Sequence, residues 1–289
     1  MKALGIWSVC LTVLACQPRP SSDLFAEGEA LGKLDKKLSE VSGLAASRKN
    51  KDLLWVHNDS RNDAELFLID LKGNLQCTYE LRGIKNRDWE DISIGPGPVP
   101  GQHYLYIGDI GDNEARYPVK YIYRLVEPQF EGERKKVVLN DFDTLMLRLP
   151  LGAQDTEALA VEPQTGDLYL FSKRLQKNLV YRLHAADLVS LDTLIFSQVA
   201  EIPFYNIVAA DFSSDGRELL VKTYNEVLYW KKADEESWLD ALARPAMLLS
   251  YKPEPQGESV GWAAEGNGYF TTSEFRDGKS EPLIFYKRN

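Results

Sequence analysis

Only three cysteines and three histidines occur in 289 residues. That scarcity excludes a disulfide framework and a Cys/His zinc cluster. Basic residues are also short, 34 against 43 acidic, for a net charge of −9. A protein that grips nucleic acid needs a basic face, so nucleic acid is not an expected partner, and the same balance argues against an electrostatic hold on anionic lipid. No Gly-x-Ser-x-Gly elbow, phosphate-cradling Gly-Lys-Ser loop or zinc-protease helix motif appears. Long apolar runs are missing except at the start, where Ala3 to Leu14 is almost wholly apolar behind Lys2. This run falls short of the roughly 20 residues a membrane-spanning helix needs. It has instead the layout of a secretion signal, residues 1–15.

What is plentiful is aromatic: 11 Phe, 6 Trp and 14 Tyr. That supply suits β-structure, and the 44% hydrophobic content is enough for a sizeable core. The signal ends at Ala15-Cys16, and Val13-Leu14-Ala15-Cys16 resembles a bacterial lipobox, in which the cysteine is lipidated and becomes the new N-terminus. Residues 16–23 then form a lipidated cysteine and tether, and 24–289 the folded domain. The resemblance implies a bacterial cell-envelope address with lipid as the only membrane hold. Gln17, standing where an inner-membrane retention signal has Asp, favours the outer membrane. Cys77 is left alone in an alternating apolar stretch and reads as a buried structural thiol.

A short pattern recurs five times: Glu40 to Ala45, Asp88 to Ser93, Asp155 to Ala160, Val208 to Ser213 and Gln256 to Gly261. Each copy leads through a turn into an alternating aromatic strand, such as Tyr104-Leu-Tyr-Ile107 or Leu168-Tyr-Leu-Phe171. A polar loop and a third strand follow, and in four copies a fourth. Four strands per repeat of this size is the pattern of a β-propeller. The expected fold is therefore all-β, a single propeller of five blades, with six as the alternative because the stretch Gln129 to Lys136 is spare. The last repeat runs out of chain after three strands, so the segment Leu24 to Leu38 is expected to supply its outer strand and close the ring. One helix is expected, over Asp234 to Ala243, stopped by Pro245.

The inner strand of a blade lines the channel, which directs attention to the third position of each repeat: Ser42, Glu90, Glu157, Ala210 and Glu258. Three carboxylates around a narrow channel repel unless they are protonated or neutralised by a cation. Oxygen donors without His or Cys suit a hard cation, Ca²⁺ above zinc or copper. Ser42, Glu90, Glu157 and Glu258 are the candidate metal ligands. The loops after the second strands return to the same face. They bring Asp59, Asp109, Lys173, Arg174 and Lys222 as candidate ligand-binding residues, a set suited to an anion held beside a cation. Asp88 and Asp155 are candidate general bases for a metal-activated water.

The runs Asn86-Arg-Asp-Trp-Glu-Asp-Ile92, Tyr104-Leu-Tyr-Ile-Gly-Asp-Ile-Gly-Asp-Asn113 and Asp155-Thr-Glu-Ala-Leu-Ala160 resemble a family of bacterial secreted β-propeller lipoproteins with no assigned activity. A weaker similarity is to the calcium-activated nucleotidases, or apyrases. Those are five-bladed and hold Ca²⁺ in the channel through Ser and Glu at blade starts. Ser42, Glu90, Glu157 and Glu258 match that arrangement and Ala210 departs from it. Six-bladed calcium lactonases share the channel metal. Two functions follow as expectations. One is a channel-calcium propeller that binds a small anionic ligand, and as an enzyme would be a metal-dependent hydrolase of a phosphate ester or lactone. The other is a non-enzymatic envelope module that binds protein or glycan.

Overall fold

The computed structural model describes residues 21–132, 135–189 and 193–289. The signal residues and Cys16 lie outside them. Five separate sheets radiate from one axis. Blade 1 runs outward through Val41–Ala46, Leu53–Asn58, Glu65–Asp70 and Leu75–Leu81. Blade 2 is Trp89–Pro96, His103–Asp109, Lys120–Val126 and Asp143–Arg148. Blade 3 is Thr156–Val161, Leu168–Ser172, Asn178–Leu183 and Ser197–Ile202. Blade 4 is Ile207–Phe212, Glu218–Thr223, Val227–Lys231 and Met247–Leu249. Blade 5 has Ser259–Trp262, Gly268–Thr272 and Pro282–Lys287.

The fourth strand of blade 5 is Glu29–Lys33, from the other end of the chain, antiparallel to Pro282–Lys287. The expected closure is therefore what the chain does. Hydrogen bonds extend the seam on both sides: Ala26 N donates to the Lys287 carbonyl at 2.8 Å and Leu34 N to the Glu281 carbonyl at 3.1 Å. The spare chain in the second repeat does not build a sixth blade. It crosses back and lays Lys136–Leu139 parallel on the outer edge of blade 1, giving that edge a partner. Blade 2 gains Leu194–Ile195 and blade 4 gains Ser21–Ser22 in the same parallel manner.

Inner strands are buried on both sides, which explains their nearly continuous apolar and small residues. Five apolar clusters result, one in each seam between neighbouring blades. Cys77 is buried in the seam of blades 1 and 2, beside Trp55 and Trp89. The helix is shorter than expected, Trp238–Leu242, because the cap falls at Ser237, whose hydroxyl accepts from Asp240 N. Among the described residues, no helix is long and apolar enough to cross a membrane.

One register differs from the sequence expectation. The first hairpins of blades 1 to 4 each carry a bulge, at Ser42, Glu90, Glu157 and Val208. A bulge turns its extra residue out of the ladder, here toward the axis. The fourth repeat's equivalent of Glu90 is thus Val208, not Ala210. Ala210 pairs with Val221, as Ile92 pairs with Ile107 two residues further along the strand. The Ala-Ala-Asp run imitated the repeat two residues out of phase.

Candidate functional site

The channel does not pass freely through the ring. Asp91, fully buried on the inner strand of blade 2, reaches across it. Its Oδ2 accepts from Leu159 N of blade 3 at 3.0 Å and from Ala210 N of blade 4 at 3.2 Å. Burial pushes its carboxyl well above the ordinary range. The acidic side chains gather on one side of this tie, at the face where inner strands begin.

Two rings of side chains meet there. The first is the ring of blade-start acids, Glu90 and Glu157 at bulges and Glu258 just before its strand, all buried. The second comes from the loops after the second strands of blades 1, 3 and 5: Asp59 and Lys173 directly past the strand and Glu274 two residues past it, whose backbone N–H groups bond the carbonyls of Glu40, Asp155 and Gln256. Tyr224 stands in the corresponding place on blade 4. The second ring brings an acid from blade 5, Glu274, that is not among the candidate residues named from the sequence. Its signal in the sequence is its place in the polar loop after the second strand of blade 5.

The acids fall into two groups that share one member. Asp59, Asp88 and Glu90 each offer a carboxylate oxygen within 4.8 Å of the others, and so do Asp59, Glu258 and Glu274. Gly111 lies against the first group with no room for a Cβ beside the carboxylates of Glu90 and Asp88, so that glycine permits the close approach. Glu157 sits elsewhere. Its Oε2 accepts from Lys173 Nζ at 2.7 Å, and the same ammonium is 3.8 Å from Glu258. Tyr224 OH donates to Glu258 and its ring lies 5.2 Å from Lys173 Nζ.

Crowding of one charge sign in a buried place moves every proton equilibrium upward. Burial pushes Asp59 up to about 7, with Glu258 and Asp88 adding to it. Glu90 is raised well above its usual range by burial, then by Glu157 and Asp59. Burial carries Glu157 up to about 8 even against the Lys173 ammonium. Glu274 is driven up to about 9 by burial and by Glu258 and Asp59. Asp88 is raised by burial and by Asp155 and Asp109. Burial alone would lower Lys173, but Glu157, Glu258 and Glu90 more than reverse it and hold the ammonium charged. Glu157 lies close enough to Glu90, and Glu258 to Glu274, to raise each of them. Each such contact needs a proton, or a cation in its place.

Several sequence candidates are positioned otherwise than expected. The Ser42 hydroxyl donates to the Glu90 carbonyl at 2.6 Å and belongs to neither acid group, so it fixes the bulge next to the acids. Asp109 is turned into the blade, where Arg87 Nε lies 3.2 Å from it and Tyr123 OH donates to it at 3.3 Å. Lys222 is fully buried, donating to the Gly257 carbonyl with Glu254 3.7 Å away. Burial brings it down to about 8. Neither Asp109 nor Lys222 faces the opening, because each finds its partner on a segment far along the chain. Asp155 has both oxygens engaged, one by Asp112 N at 2.9 Å and one by Arg174 Nε at 2.6 Å. Of the two candidate bases, Asp88 is the one that faces an acid group. Arg174 keeps about half its side chain in solvent and stands at the rim. His57 is buried, edge-on to Trp89, and held uncharged by a pKa lowered to about 4 through burial.

No family model and no curated protein matches this chain. Solved structures that align with it include an auxiliary nutrient binding protein from Bacteroides thetaiotaomicron, at 11% identity and TM-score 0.49, covering 90% of this chain and 76% of that one. The Pan2 WD40 domain of Neurospora crassa aligns at 9% identity and TM-score 0.47, over 94% of this chain and 98% of that one. At such identities and scores the likeness carries nothing about ligand or chemistry. The five-bladed propeller rests on the strand pairing above, and the site on its own geometry.

Proposed function

We propose that this chain is a lipid-anchored propeller of a bacterial envelope whose channel mouth holds a divalent cation, Ca²⁺, and through it binds a small anionic ligand. The observation that carries the reading is the pair of acid groups hinged on Asp59. Among the described residues, the six carboxyl groups of Asp59, Asp88, Glu90, Glu157, Glu258 and Glu274 have one cation in ion-pair contact, Lys173. All donors are oxygens, which suits a hard cation. Two oxygens on opposite sides of a Ca²⁺ bonded at about 2.4 Å stand about 4.8 Å apart. The spans within each group stay inside that limit. The cation would replace the protons that the carboxyl pairs otherwise require.

Bound there, the cation supplies a positive centre for an anion in an otherwise repellent mouth. Lys173 steadies Glu157 and Glu258, and Arg174 stands at the edge to meet the anion's outer charge. If the cation is held mainly by Asp59 with Glu258 and Glu274, Asp88 in the other group would be the residue to take a proton from a water, which is the hydrolytic extension of the same reading. Attachment through Cys16 follows from the lipobox resemblance.

The test is calorimetric titration with inorganic phosphate, with and without Ca²⁺, on the soluble domain from residue 21. Phosphate is expected to bind in calcium and to fail in chelator, and Asp59→Asn is expected to abolish the calcium-dependent part. Phosphate binding that is equal in chelator, or no binding with calcium-dependent stabilisation also absent, overturns the reading and leaves the interaction-module function.

A further inference from the structure

A second site lies on the opposite face, at the seam where the N-terminal strand closes the ring. Between blades 5 and 1 the apolar packing stops short and leaves a cavity of about 450 Å³. That volume is within the range of small-molecule sites, whereas protein interiors otherwise hold few voids larger than a water. Its floor is apolar: Leu31, Leu54, Leu71, Phe270 and Phe285 continue the cluster that fills the rest of the seam. Leu31 is the bulged residue of the closing strand, lying between the Ala30 and Gly32 pairings. The bulge, therefore, sits where the cavity meets the closure.

The rim is cationic in a protein of net charge −9. Arg48, Lys49 and Lys51 all come from the first turn of blade 1. Arg48 donates to the Ala264 carbonyl at 2.9 Å and Lys49 to the Glu127 carbonyl at 3.1 Å, both neutral acceptors. Among the described residues none of the three forms an ion pair, although Asp52 and Glu265 also line the rim. An apolar floor under unneutralised cations is complementary to a molecule with a hydrocarbon body and an anionic head.

We propose that this seam cavity binds a small amphiphilic carboxylate, with its chain on the Leu31–Phe270–Phe285 floor and its head toward Lys51 and Arg48. Such a ligand touches both the closing strand and blade 1, so its binding stabilises the closed ring. The site is independent of the channel mouth and needs no metal.

The experiment titrates decanoate into the soluble domain in chelator, following heat and melting temperature, with decylamine as the cationic counterpart. Decanoate is expected to bind saturably and raise the melting temperature, and decylamine to bind more weakly. Lys51→Glu, a change at an exposed side chain, should weaken decanoate about fivefold while leaving the unliganded melting temperature alone. Salt at about 1 M should weaken it similarly, since screening falls on the head alone. Leu71→Trp and, as a second filling variant at the exposed edge, Ala264→Trp should each remove binding. Absence of decanoate binding, equal affinity for decylamine, or binding that survives both filling variants overturns the proposal.

Discussion

Phe25 tests the closure of the ring through one side chain. It precedes the closing strand, is 3% exposed, and lies among three aromatic rings from two blades. Its centroid is 5.1 Å from Tyr269, 5.9 Å from Trp262 and 6.4 Å from Tyr229. The Arg288 guanidinium lies 4.9 Å from the same ring. Phe25→Ala removes a fully packed ring and leaves a cavity that rigid aromatic neighbours cannot fill, a change that costs about 3–5 kcal/mol. The edge-on ring contacts put the value in the upper half of that range. For a domain of this size each kcal/mol moves the melting temperature by about 2–4 °C, so a fall of about 8–20 °C is expected. The assay is urea denaturation followed by tryptophan fluorescence, beside thermal melting, with Glu29→Ala on the exposed side of the same strand as control. The control should stay within about 0.5 kcal/mol of the parent. A Phe25→Ala loss below about 1 kcal/mol would refute the reasoning, since the N-terminal segment would then decorate the ring instead of closing it.

Other outcomes follow from the same structure. In chelator, stability should fall as pH rises from about 5 to about 9, because Asp59 at about 7, Glu157 at about 8 and Glu274 at about 9 hold protons more tightly folded than unfolded. Melting temperatures across that range check it; a flat or rising profile contradicts the buried acid nest, and saturating Ca²⁺ should flatten the fall. Asp91→Ala strips the acceptor from Leu159 N and Ala210 N and should cost about 3 kcal/mol in urea denaturation, since buried donors lose their partner. Cys16→Ala should abolish fatty-acid labelling and membrane retention of the full chain while the soluble domain keeps its melting temperature; retention by the mutant would contradict the lipid anchor.

The architecture was readable because propeller strands obey a local rule. Alternation in Tyr104-Leu-Tyr-Ile107 and the turn at Gln164-Thr-Gly166 depend on neighbours in sequence, and the missing last strand was a matter of chain length. The bulge register was not readable in blade 4, because a bulge is a relation between two strands. Ile207-Val-Ala-Ala-Asp211 offers two phases, and only pairing with Lys222 and Val221 selects one. The acids were legible as a class, since Glu90, Glu157 and Glu258 recur at blade starts and do converge on the mouth. Their partners were not. Lys173 looked like a ligand contact and is spent on Glu157, while Lys222 and Asp109 looked exposed and are tied to Gly257 and Arg87. Each of those ties joins segments that sequence leaves well apart, so no local pattern announces it. Asp59 was read as a ligand contact, and its place in both acid groups appears only when blades 1, 2 and 5 come together.

Metal content of the purified soluble domain, measured by elemental analysis after dialysis against Ca²⁺ and then metal-free buffer, tests the central claim most directly. The reading predicts about one retained Ca²⁺ per chain, lost in Asp59→Asn because both acid groups lose their shared member, and kept in Ser42→Ala because that hydroxyl serves the backbone. Retention of no divalent cation by the parent, or undiminished calcium in Asp59→Asn, would contradict it.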